Sequence, residues 1–87
     1  MYRVVLTRRA EKSLSRSAKQ IQRNVAAAIE ALQYSFAPSR MFDVKKLKGL
    51  ENTYRIRIGG WRLIYEVQKN REIIIIHDIL PRKKAYR

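Results

Sequence analysis

From Tyr54 to Tyr65, apolar and polar residues alternate on both sides of the pair Gly59-Gly60. This pattern predicts a β-hairpin closed by a two-residue turn of the primed type. The turn sets the register: Ile58 opposite Trp61, Arg57 opposite Arg62, Ile56 opposite Leu63. Side chains alternate between faces, so Tyr54, Ile56, Ile58, Trp61, Leu63 and Tyr65 share one face, read as packing. Arg55, Arg57 and Arg62 share the other. Arginines facing each other repel, so an anion that fills the gap is the natural reason for such a face. The plain alternative is a solvated basic sheet face whose arginine stems cover apolar surface.

The period changes upstream. Tyr2 to Thr7 reads as a strand, and Thr7 as the N-cap of a short helix from Arg8 to about Arg16, with Ala10 and Leu14 inward. Ser17 and Gln20 fit a capping box for a second helix that runs to about Ser35. Ile21, Val25, Ile29 and Leu32 form its apolar stripe. Residues 37–40 close the helical region. Asp43 to Asn52 reads as a loop or short edge strand with a turn at Gly49. After a polar turn at 68–71, the run Glu72 to Ile79 predicts a central strand buried on both faces, ended by Pro81. A basic tail, residues 82–87, follows. The order β-α-α-β-β-β predicts one α+β domain over residues 1–87, with two helices on one face of a small antiparallel sheet and the arginines on the other.

Charge sharpens this picture. Twenty Lys and Arg against seven Asp and Glu give a net charge of +13 in 87 residues. That field attracts polyanions and exceeds what solubility needs. No cysteine is present, which removes disulfides and thiolate chemistry and favours a reducing, cytoplasmic setting. The longest apolar run, Val25 to Ile29, is far too short to span a bilayer, and a membrane partner is not expected. A single histidine, His77, rules out a paired-histidine nuclease mechanism within one chain; His77 itself is read as structural. Glu66 shares the arginine face and is expected to pair with an arginine. No metal-ligand spacing, Gly-rich phosphate loop or nucleophile triad occurs, so no cofactor is implied. Lys45, Lys46 and Lys48 are candidate phosphate contacts, and Tyr86 in the tail is placed to stack on a base or lend its hydroxyl to proton transfer.

The sequence of motifs Lys46-Leu47-Lys48-Gly49-Leu50, Tyr54-Arg55-Ile56-Arg57-Ile58-Gly59, Trp61-Arg62-Leu63-Ile64-Tyr65, then Arg82 and Lys84-Ala85-Tyr86-Arg87 resembles the RelE/ParE toxins of toxin–antitoxin systems. The resemblance spans essentially the whole chain. RelE members cleave mRNA in the ribosomal A site without metal. The resemblance therefore implies a catalytic set of Arg55, Arg57, Arg62, Arg82 and Tyr86. It implies RNA contacts from Lys46, Lys48, Lys83, Lys84 and Arg87. Expected partners are a cognate antitoxin with an acidic segment, the ribosome and its message; the free chain is expected to be monomeric. Two departures stand out: Arg replaces the more usual Lys in the first basic pair, and Trp61 stands where Tyr is common. The family's Glu/His acid–base variant is not visible. A ParE-like inhibitor of DNA gyrase and a non-catalytic RNA-binding module remain alternatives on the same scaffold.

Overall fold

Thr7 links the N-terminal strand to the first helix and to the far end of the chain. Its hydroxyl oxygen accepts a hydrogen bond from the Ala10 amide at 3.1 Å and donates one to the His77 carbonyl at 2.8 Å. The computed structural model describes residues 1–81. Arg82, Lys83, Lys84, Tyr86 and Arg87 therefore lie outside the described residues. The elements are β1 (Arg3–Leu6), α1 (Arg8–Arg16), α2 (Lys19–Tyr34), β2 (Asp43–Lys46), β3 (Thr53–Ile58), β4 (Trp61–Gln68) and β5 (Ile73–Pro81), with a single 3-10 turn at Lys69–Arg71.

The strands form one five-stranded sheet in the order β1-β5-β4-β3-β2. Both helices pack on the same face, through Ala10, Val25, Ala28 and Leu32 against Ile56, Leu63, Tyr65, Ile74, Ile76 and Ile79. The α+β reading holds, with Asp43 to Lys46 resolved as an edge strand. The sheet is mixed rather than wholly antiparallel, because β1 runs parallel to β5. Hairpin turns dictate direction only between strands adjacent in sequence. β1 and β5 are separated by both helices and three strands, so no turn constrains them.

Two local expectations also change. Ala18, not Ser17, is the N-cap of α2 and offers no side-chain bond. The Ser17 hydroxyl instead donates to the Leu14 carbonyl at 2.7 Å, closing the end of α1. β5 is buried on one face only: Ile74, Ile76 and Ile79 are buried, Ile73 and Ile75 half-buried, and His77 exposed. Among the described residues the helices cover a single side of the sheet, which leaves the Ile run with an ordinary two-residue alternation. A register shift opposite Ile64 and Tyr65 passes over His77. This β-bulge adds one residue to β5 at that point.

The helix-covered face is rich in aromatic contacts. Tyr54 stacks on Tyr65 at 5.5 Å, Phe36 meets Tyr54 edge-on at 5.9 Å, and Tyr2 meets Phe36 edge-on at 6.3 Å. The Tyr65 hydroxyl donates to the Phe36 carbonyl at 2.7 Å. That bond anchors the loop after α2 to the middle of the sheet.

Candidate active site

The β3–β4 turn keeps the register that alternation predicts. Arg57 pairs with Arg62, Ile56 with Leu63 and Ile58 with Trp61. Only Gly59 of the glycine pair takes a positive φ, 58°. A side chain at that first turn position would be strained, whereas glycine adopts the conformation freely.

The pairings of β2 extend the arginine face into rows. Asp43, Arg57, Arg62 and Leu80 lie in one row across four strands. Lys45, Arg55 and Ile64 lie in the next. The pairing of Arg57 with Arg62 therefore sits beside a carboxylate. One Asp43 oxygen is 3.2 Å from an Arg55 Nη and the other 3.5 Å from Arg57 Nε. Asp43 divides itself between two guanidinium groups, relieving part of the repulsion predicted for this face.

The arginines differ in how much water they see. Arg57 is about half exposed (46% of its side chain), Arg55 is largely covered (12%), and Arg62 is buried with 1% exposure. Arg62 Nη1 donates to the Trp61 carbonyl at 3.4 Å. Arg55 Nε is buried without a hydrogen-bond partner among the described residues. A guanidinium keeps its charge when desolvated and presents a planar fork that fits a phosphate in bidentate fashion. With water excluded its field is also stronger. The face is thus basic and graded in water access, from exposed Arg57 to buried Arg62.

Glu66 and His77 depart from expectation. The Glu66 carboxylate is engaged by His77 and Gln68. Its Oε1 lies 2.9 Å from His77 Nε2, and Gln68 donates to its other oxygen at 3.4 Å. The hydrogen bond from His77 lowers the Glu66 pKa below the ordinary carboxylate value, partly opposed by burial and assisted by Gln68. His77 is exposed rather than part of the core, with its ring held by Glu66. A carboxylate-oriented imidazole is competent for proton transfer. However, Glu66 lies four residues from Arg62 along β4, about 13 Å at the usual strand rise, so a phosphate held by Arg57 and Arg62 is out of its reach. Tyr65 is equally unsuited as a base at this face. It points into the core, and burial, reinforced by Tyr54, pushes its hydroxyl well above the usual tyrosine range.

The structure brings Arg55, Arg57 and Arg62 together, and Lys46 falls elsewhere. Lys46 pairs with Tyr54 on the helix-covered side, whereas Lys45 pairs with Arg55 and takes the arginine face. Lys48 lies in the turn after β2, exposed. Arg82, Lys83, Lys84, Tyr86 and Arg87 are outside the described residues. Sequence reasoning named Lys45 and missed Asp43, although the alternation Asp43-Val44-Lys45 places both on the arginine face once Val44 is set opposite Ile56. It missed the Glu66–His77 pair because the bulge that positions His77 leaves no clear sequence signal.

The description "ParE toxin of type II toxin-antitoxin system, parDE" matches residues 4–86. Toxin RelE3 of Methanocaldococcus jannaschii is 34% identical over 85 residues, 97% of this chain and 94% of the relative. The archaeal RelE-RelB complex from Pyrococcus horikoshii contains a chain of similar fold, with a TM-score of 0.84 and 34% identity over 93% of this chain and 94% of that one. The RelB-RelE antitoxin-toxin complex from Methanococcus jannaschii gives 0.81 and 32%, covering 94% of each chain.

Proposed function

The chain belongs to the RelE/ParE toxins of type II toxin–antitoxin systems, and on that premise we propose that it is a ribosome-dependent mRNA endoribonuclease held in check by a cognate antitoxin. One observation carries the reading: the desolvated Arg62 guanidinium beside Arg57, at the centre of a basic sheet face. Full-length likeness to a relative named RelE3 supports this branch.

The reaction is a transesterification. A ribose 2′-hydroxyl attacks the adjacent phosphorus and gives its proton to a base. The bond from phosphorus to the 5′ oxygen breaks, and that oxygen leaves with a proton. The ends are a 2′,3′-cyclic phosphate, or a 3′-phosphate after water opens the ring, and a 5′-hydroxyl. Charge builds on the phosphate oxygens in the transition state. Arg57, Arg62 and Arg82 are assigned to them, with Arg55 adding field. Tyr86 is assigned to orient or deprotonate the 2′-hydroxyl. Arg55 and Arg57 retain their protons in this scheme, since guanidinium is a poor proton acceptor. Lys46, Lys48, Lys83, Lys84 and Arg87 are assigned to RNA backbone. The related complexes with RelB support an antitoxin whose acidic segment covers the basic face and is captured quickly by charge complementarity.

Mapping 5′ ends of messages in a translating extract tests this. Wild type is expected to produce codon-aligned cuts. Arg57→Ala/Arg82→Ala is expected to lose them while circular dichroism and the melting temperature stay near wild type. Intact messages together with inhibited DNA supercoiling by gyrase would instead establish the second reading, which the family description as ParE favours.

A further inference from the structure

We propose a second RNA-binding element, separate from the arginine face: a groove between α1 and the ends of β4 and β5 that seats a single RNA strand. Arg8, Lys12 and Arg16 recur every four residues, so they form one stripe along α1 about 12 Å long. All three are exposed, and with Arg9 they form one wall of the groove. Trp61, Leu80 and Pro81 form its apolar floor. The described residues lining it include no carboxylate. Asp78, nearby, is engaged by Arg9 at 3.6 Å, and Glu11 faces a different groove beside Leu6 and Leu14.

This combination has a specific meaning. A solvated helix face needs no aromatic floor, and a core tryptophan needs no cationic wall. Cations at steps of one helical turn beside an indole match the two requirements of single-strand binding. Phosphates track the charges and an unpaired base stacks on the ring. A duplex keeps its bases inside and gains little from the indole. Trp61 directly follows the Gly59-Gly60 turn, where an added Cβ would find nothing within 4 Å. Both glycines leave the backbone of this turn open to close approach. The inference rests on the nuclease reading only for the choice of RNA as the strand. Binding is measured without cleavage, so either idea can fail alone.

Trp61 is the only tryptophan in the chain, so its fluorescence reports on the groove directly. Titrating the full chain with a single-stranded oligouridylate is expected to quench that emission. Affinity is expected to fall with salt. The exposed double variant Lys12→Ala/Arg16→Ala is expected to reduce the slope of log affinity against log salt by about 1.4, for two lost phosphate contacts on a single strand. Trp61→Leu is expected to weaken binding about tenfold, followed by fluorescence of a labelled oligonucleotide. Unquenched emission on RNA binding, or an unchanged slope in the double variant, would overturn the proposal. Equal quenching by duplex RNA would overturn the single-strand assignment. Quenching by polyglutamate but not by RNA would make the groove an acidic-peptide site instead.

Discussion

The two faces of β3 and β4 are cut from one segment by alternation, yet they obey different rules. On the helix-covered face, Ile56, Leu63 and Tyr65 are fully buried, and the Tyr65 hydroxyl has its hydrogen bond. On the other face, like charges meet across the strands, a single aspartate serves two arginines, and Arg55 Nε has no hydrogen-bond partner among the described residues. The first arrangement is what stability selects. The second leaves electrostatic demand unmet, and groups that wait for a ligand look like that. The proposed chemistry is concentrated where the fold is least satisfied.

If this division is real, substitutions on the two faces should cross over in effect. Leu63→Ala empties a fully buried site and is expected to cost about 2–5 kcal/mol in chemical denaturation. Cleavage per folded molecule is expected to stay near wild type. Arg57→Ala, one strand away on the open face, is expected to change stability by under about 1 kcal/mol. It is expected to slow cleavage on the order of a hundredfold or more. Equal loss of stability from both variants would erase the division. Arg62 is a poorer probe, because removing a buried side chain mixes both effects.

Much of this contrast is legible in the chain itself. The hairpin register follows from Gly59-Gly60 and strict alternation, and the helices from Thr7 and the apolar stripe of α2. Those signals are local, and local geometry produces them. The remainder is set at long range. The parallel pairing of β1 with β5 depends on how the helices carry the chain across the sheet. The burial of Arg62 depends on neighbours distant in sequence, and the exposure of His77 on a bulge. Asp43 lies between these cases: its row was readable from the alternation of β2, but only once β2 was known to pair.

A smaller effect separates the faces by pH. On the covered face, burial raises the Tyr65 pKa above its ordinary 10.0. A group with a raised folded pKa contributes stability that is intact below the unfolded value and lost as pH rises past it. Stability should therefore decline above about pH 10, and Tyr65→Phe should flatten that limb. The substitution itself is expected to cost about 1 kcal/mol at neutral pH, for the lost bond to the Phe36 carbonyl.

The open face should respond at the acid end, and more weakly. The hydrogen bond from His77 depresses the Glu66 pKa. A depressed carboxylate contributes stability that is present above its unfolded value, 4.5 here, and is lost as pH falls through the folded value. The pair is partly exposed, so solvent screening limits the contribution to a few tenths of a kcal/mol, about the scale of a surface ion pair. Glu66→Gln should therefore differ from wild type slightly above pH 5. The gap should close as pH drops below 4.5, where wild-type Glu66 is also neutral. Denaturation midpoints at a series of pH values measure that gap. A gap that widened toward low pH would reverse the sign, and with it the view that His77 holds Glu66 in its charged form. Because Glu66 lies four residues from Arg62 along β4, about 13 Å at the usual strand rise, the same substitution should leave cleavage at neutral pH within about twofold. A larger loss would mean that the reacting phosphate sits nearer β5 than the arginine pair implies, and that the open face has its proton acceptor in His77.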